Sequence, residues 1–161
     1  MSRRRNVLSW VLIILVLGLI AAAAFYVLWP QIQPHATLKI GDGVFAARVA
    51  KTSEERTRGL SGTHELRDSQ AMLLVYERND KWSIWMKDMR YSIDIIWLDE
   101  AKEVVHIVKN APPESYPYES FIPKKDARYV LELPAGTVNK KSIVIGTKAM
   151  FDENNLEGIK L

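Results

Sequence analysis

The sequence predicts a mostly β domain of the small α+β kind: a compact, barrel-like or rolled antiparallel sheet with one or two short helices, preceded by a single transmembrane helix. Three observations lead there. Val7 to Trp29 is an apolar run without a charge. Beyond it the chain breaks into many short strand-like runs separated by turn residues, the pattern of a small barrel or rolled sheet. Helix start signals are sparse among those runs, and Thr52-Ser53-Glu54-Glu55 is the clearest of them.

The apolar run reads VLSWVLIILVLGLIAAAAFYVLW. As a helix it would extend about 35 Å, enough to cross a hydrocarbon core, and a helix satisfies its own backbone polar groups in lipid. Arg3, Arg4 and Arg5 precede it, and the next basic residue is Lys39. The positive-inside bias therefore assigns residues 1–6 to the cytoplasm and the C-terminal part to the outside. Trp10, Tyr26 and Trp29 lie toward the ends of the run, where amphipathic rings favour an interface. Pro30 and Pro34 stop the helix and open a linker over 30–35. Ala21 to Ala24 also suit signal-peptide cleavage, but the cut would leave FYVLWP as an apolar new N-terminus. The expectation is thus an uncleaved signal anchor over 7–29, one pass through the cell membrane, and an extracytoplasmic β-rich domain over 36–161.

Within that domain, Ala36 to Ile40 and Val44 to Ala50 flank Gly41-Asp42-Gly43, a hairpin signal. Thr52 and Glu55 have capping-box spacing, predicting a helix over 53–58 that Gly59 ends. Ala71 to Tyr76 reads as a strand, Asn79 to Lys81 as a turn, and Trp82 to Met86 as another strand. Ile93 to Leu98 is apolar on both faces except for Asp94, and Glu103 to Lys109 is expected to pair back onto it. Asn110 to Ala127 is a proline-bearing loop, longer than ordinary connections. Arg128 to Leu133 alternates as a strand, Thr137 to Ser142 suits one helical turn, and Ile143 to Phe151 carries a final strand interrupted by Gly146.

Composition narrows the function. The chain has 22 basic and 19 acidic residues. Setting aside Arg3, Arg4 and Arg5 leaves 19 against 19, so the basic balance belongs to the N-terminus and gives no support for a nucleic-acid partner. There is no cysteine, hence no disulfide and no thiolate metal site. His35, His64 and His106 lack metal-ligand spacing. No nucleophile elbow, phosphate loop or zinc-protease motif occurs. The expectation is no cofactor and no metal.

Four segments in order carry a resemblance. They are Arg58-Gly59-Leu60-Ser61-Gly62, Ala71-Met72-Leu73-Leu74, Trp85-Met86-Lys87 with Ile93-Asp94-Ile95-Ile96, and Tyr129 to Gly136 (YVLELPAG). Together they resemble the domain-of-unknown-function family 192, over roughly Leu38 to Phe151, as a membrane-anchored member. The resemblance implies a compact, mostly β fold and no established activity. Two departures stand out. Ala71 replaces the glycine usual there, and the 110–127 loop lacks the cysteines many members carry.

The polar residues worth singling out are Arg58, Lys87, Asp94 and Glu132. Asp94 interrupts an apolar strand, where a buried carboxylate needs hydrogen bonds or an ion pair. Glu132 alternates with Leu131 and Leu133, which points it to the opposite face and, in the simplest case, to solvent. Arg58 suits a helix C-terminus or a carboxylate ligand. Lys87 follows Trp85-Met86 as a snorkelling lysine. Trp82 and Tyr91 would form an aromatic platform if they lined a groove. The expected function is a non-enzymatic binding or accessory module for a protein, peptide or envelope component, with the membrane and an envelope protein or glycan as partners. The alternative is a hydrolase acting on an envelope substrate through Asp94 or Glu132.

Overall fold

The computed structural model describes residues 10, 13–23 and 35–152. The chain divides into two compact units, Met1–Gln33 and Pro34–Leu161.

In the first unit the described residues 13–23 are helical. Among the described residues no helix is long and apolar enough to cross a membrane. The single-pass helix expected over 7–29 is therefore not supported, and the anchor, the cytoplasmic N-terminus and the placement of the domain outside the cell lose their basis with it. Residues 7–9, 11, 12 and 24–29 of that expected helix lie outside the described residues.

The second unit is built on six strands: β1 (His35–Ile40), β2 (Gly43–Ala50), β3 (Gln70–Asp80), β4 (Ile93–Leu98), β5 (Val104–Ala111) and β6 (Ala127–Pro134). They form one sheet in the order β1-β2-β3-β6-β4-β5. The barrel-like, antiparallel expectation is corrected on two points. First, β1 and β5 are opposite edges, so the sheet is open. Second, β2 and β3 are parallel. The link between them contains the helix α1 (Ser53–Arg58), and a crossover of that length returns the chain in the same direction. The remaining neighbours are antiparallel.

Both faces of this sheet are covered. On one face, Leu38, Phe45, Leu73, Ile96 and Leu131 pack beneath Val138, Ile143 and Phe151. Val138 belongs to α2 (Thr137–Lys140). On the other face, Met72, Leu74, Ile95, Trp97 and Val130 pack beneath Leu60, Ile84 and Met86. That double cover explains why all six residues of β4 are buried. It also explains Trp82 to Met86, which forms a lid segment joined by one isolated bridge, Ile84 to Phe121, instead of a strand.

The C-terminal part of the domain also departs from a regular strand. Lys39 and Met150 exchange both backbone hydrogen bonds, Val104 donates to Thr147 and accepts from Gly146, and Ala149 donates to the Lys102 carbonyl. One short segment, 146–150, therefore reaches β1 and β5 alike.

Candidate functional site

The site lies on the second face, under α1 and the segment that follows it. Thr52 and Glu55 form the capping box: the Thr52 hydroxyl accepts from the Glu55 N–H, and the Glu55 carboxylate accepts from the Thr52 N–H. Two donors that a helix start would leave unsatisfied are thereby paired. Gly59 ends the helix at φ 47°, its N–H bonded to the Glu55 carbonyl. This left-handed angle suits glycine. The chain then turns down, and Leu60 buries against the sheet. The Ser61 hydroxyl donates to the Lys87 carbonyl at 2.8 Å, and the Gly62 N–H donates to the Asp88 carbonyl at 2.9 Å. The 59–62 turn and the 82–91 segment are thus stitched together, and a cleft of about 390 Å³ opens between them.

Glu132 forms its floor. In β6 it is flanked by Met72 of β3 and Ile95 of β4, and Arg48 of β2 lies next in the same row, opposite Met72. The residue is 5 % exposed. Its Oε2 atom is buried and has no hydrogen-bond partner. Burial pushes its carboxyl up to about 7, and the positive charge of Arg48 opposes that rise. The period-2 reading placed Glu132 on the correct face, but that face is covered, so the expected solvent exposure is overturned. Among the described residues one further buried side-chain atom lacks a partner, Arg128 Nε. The other end of Arg128 pairs with Glu100 at 3.3 Å, and of these two buried atoms only Glu132 Oε2 belongs to the cleft lining.

The walls combine apolar and basic groups. Leu60, Leu74, Ile84, Met89 and Ile93 line one part. Tyr76 and Trp82 stack at 4.0 Å and 9°, with the Arg56 guanidinium over the Tyr76 ring at 4.8 Å and that of Arg78 over the Trp82 ring at 5.6 Å. Burial raises the Tyr76 hydroxyl to about 12, with Arg56 opposing and Glu132 adding to the shift. Arg56 is further committed to the carbonyls of Lys51 and Val75.

The singled-out residues separate accordingly. Arg58 lines the cleft and both adjoining hollows. Lys87 lines one hollow, beside Trp85, and not the cleft itself. Trp82 is a wall residue, already stacked. Tyr91 does not line the cleft. Its hydroxyl is bonded to that of Thr63 at 2.6 Å, so Trp82 and Tyr91 do not make a shared platform. Asp94 lies on the opposite face of the sheet. It is fully buried, and its carboxylate accepts from the N–H groups of Asn110 at 2.9 Å and Val138 at 2.8 Å. The second bond satisfies a donor at the start of α2, where no local side chain caps the helix. Arg48, Arg56, Leu60 and Tyr76 are site residues the sequence did not mark. Cross-sheet register, which no single segment carries, is what brings them in. Among the described residues no group of three or more His, Asp or Glu side chains is arranged to hold a metal ion.

With this geometry in view, the comparisons decide the family. Residues 36–151 match the profile of DUF192, described as "Uncharacterized ACR". The chain belongs to the DUF192 family. Curated relatives carry the matching name UPF0127. The protein from Thermococcus sibiricus is 32% identical over 99 residues, covering 62% of this chain and 61% of the relative. That from Thermococcus gammatolerans is 32% identical over 104 residues, covering 65% of each. The matched part of the chain thus spans about 60% of the length of these DUF192/UPF0127 relatives. Among solved structures, a protein of unknown function from Novosphingobium aromaticivorans is 26% identical, with a TM-score of 0.67 over 71% of this chain and 83% of that one. A structure from Sinorhizobium meliloti at 21% identity has a TM-score of 0.68, over 72% and 92% respectively, and shows the same fold. The family is one of uncharacterised proteins.

Proposed function

We propose that this DUF192 domain is a non-enzymatic binding module whose cleft over Glu132 receives part of a protein, peptide or glycan. The observation that carries the reading is the buried Oε2 of Glu132, facing the cleft without a partner. A buried polar group left unpaired costs about 1–3 kcal/mol, and more if charged. A ligand that donates a hydrogen bond there recovers that cost. A cleft with apolar walls and a few convergent polar groups is also the usual form of a small-molecule or side-chain site.

The binding reading fits better than hydrolysis. The cleft lining contains no histidine, no aspartate and no second glutamate, so Glu132 has no partner for paired acid–base work. A hydrolase acting through Asp94 draws no support from a carboxylate that is fully buried on the opposite face and bonded to two backbone amides.

Amide NMR on the full chain with a library of small fragments tests the reading. Hits should shift Gly59, Ile84 and Glu132 together and weaken in Glu132→Leu. Hits that cluster elsewhere, or that ignore the substitution, overturn it.

A further inference from the structure

The inference below rests on the cleft being a ligand site and names what enters it. We propose that the cleft captures the carboxy-terminal residue of a polypeptide: an apolar side chain enters the cleft, the last peptide N–H donates to Glu132, and the terminal carboxylate pairs with Arg58.

Four features of the site select this chemistry. The first is charge. Glu132 needs a donor, but a cationic one would meet Arg56 and Arg58 in the cleft lining and the charge of Arg48 acting on Glu132. A neutral N–H satisfies Oε2 without that repulsion.

The second is the contrast between the two lining arginines. Arg56 is held by two backbone carbonyls and a tyrosine ring. Arg58 is exposed, its carbonyl accepts from the Ser61 N–H, and among the described residues its guanidinium makes no ion pair or hydrogen bond. Its planar fork matches a carboxylate in bidentate fashion. The terminal carboxylate is the one group that every polypeptide end offers next to a peptide N–H.

The third is the apolar wall of Leu60, Leu74, Ile84, Met89 and Ile93, which suits an aliphatic or aromatic side chain. A sugar ring is less well served. It needs an open aromatic face; Tyr76 and Trp82 stack on each other with Arg56 and Arg78 over their rings, and Trp85 carries Lys87 over its ring and Tyr116 edge-on against it.

The fourth is continuity. Past Arg58 and Ser61 the cleft runs into the hollow lined by Trp85, Lys87 and Asp88, and Trp85 is 43 % exposed. That hollow gives upstream residues of a chain a place to lie, which an isolated amino acid would leave unused.

The test uses three probes on the full chain, with methyl β-D-glucuronide as the comparison sugar, followed by amide NMR: N-acetyl-L-leucine, N-acetyl-L-leucinamide, and acetyl-Ala-Ala-Ala-Leu with a free carboxylate. The acid should bind roughly tenfold more tightly than the amide, the worth of one charge-assisted contact. Arg58→Ala should erase that difference, its cost falling mainly on the acid, and Glu132→Gln should weaken both. The peptide should bind more tightly than the single residue and shift Trp85 and Lys87 as well. Equal binding of acid and amide overturns the carboxylate assignment while leaving the cleft a ligand site. An acid that binds as well as the peptide overturns the polypeptide source. Binding of methyl β-D-glucuronide with none of the three probes bound would replace the proposal with a glycan. If fragments still find the cleft but none of the three probes does, the inference falls and the binding module stands. If fragments miss it too, both fall.

Discussion

Asp94 and Glu132 are near neighbours on adjacent strands yet face opposite sides of the sheet. Glu132 pairs in register with Ile95, and Asp94 pairs with Leu133. One residue of offset is enough, because successive side chains on a strand alternate faces. The two carboxylates therefore do separate work: Asp94 holds backbone amides in one core, and Glu132 waits at the floor of a cleft in the other.

Asp94→Ala should destabilise the domain. Removing the carboxylate leaves the Asn110 and Val138 N–H groups without their acceptor, and the buried one, that of Val138, costs about 1–3 kcal/mol when orphaned. Urea unfolding of the full chain should show a loss in that range or above. A loss under about 0.5 kcal/mol, typical of a surface change, would contradict the structural role. Ligand affinity at the cleft, measured with whatever fragment binds there, should be unchanged in the folded fraction.

Glu132→Gln should be stabilising, and only at higher pH. The unfolded carboxyl titrates near 4.5, and the folded one is raised to about 7. Below the lower value both states are protonated and the wild-type carboxyl carries no penalty. As pH rises from 4.5 toward 7 the unfolded state loses its proton first, so wild-type stability falls. The difference amounts to about 3 kcal/mol above pH 7, at 1.36 kcal/mol per pH unit. Glutamine cannot ionise and escapes this fall. Unfolding curves at pH 3.5 and pH 8 should match at the first pH and diverge at the second, with the variant more stable. Parallel curves would show that the carboxyl is not held in its neutral form.

Thr52→Ala breaks the capping box. The expected cost is about 1 kcal/mol, because the Glu55 N–H loses its acceptor. The same change loosens the helix that carries Arg58, so the acid-over-amide preference of the cleft should shrink too. A Thr52→Ser variant keeps the hydroxyl and should restore both properties. Failure of that rescue would separate the cap from the site.

Gly59→Ala should cost about 1–2 kcal/mol. The added Cβ would meet the Arg56 carbonyl oxygen at 3.6 Å and Glu132 Oε2 at 3.8 Å, which is ordinary contact. The penalty comes from the left-handed φ of 47°. Thermal unfolding would check it, and an unchanged midpoint would mean that the turn relaxes freely.

What was legible in the sequence follows a physical division. Local signals were strong where chemistry is local. The Thr52–Glu55 capping box, the hairpin at Gly41-Asp42-Gly43 and the strand Ile93 to Leu98 all depend on residues a few positions apart. Long-range pairing was not legible. Nothing within Arg128 to Leu133 says that this late strand inserts between β3 and β4, and the alternation around Glu132 names its face without saying what lies over that face. The parallel pairing of β2 and β3 was hidden for a related reason: the 53–58 helix was seen, but the direction in which its connection returns was not. The membrane reading of Val7 to Trp29 rested on hydropathy and length, and among the described residues no helix is long and apolar enough to carry it.

The segment 146–150 gives the open sheet a clasp. An uncovered rim of unpaired N–H and C=O groups invites another molecule to add its own strand, and a six-stranded open sheet has two such rims. Here five residues occupy part of both, through Lys39 on one and Val104 on the other. Release of this segment from the sheet would uncover the stretches it covers on both rims, and the expected outcome is strand-to-strand self-association, which light scattering would detect. Cover of the two rims is thus assigned to residues 146–150, which line no part of the cleft.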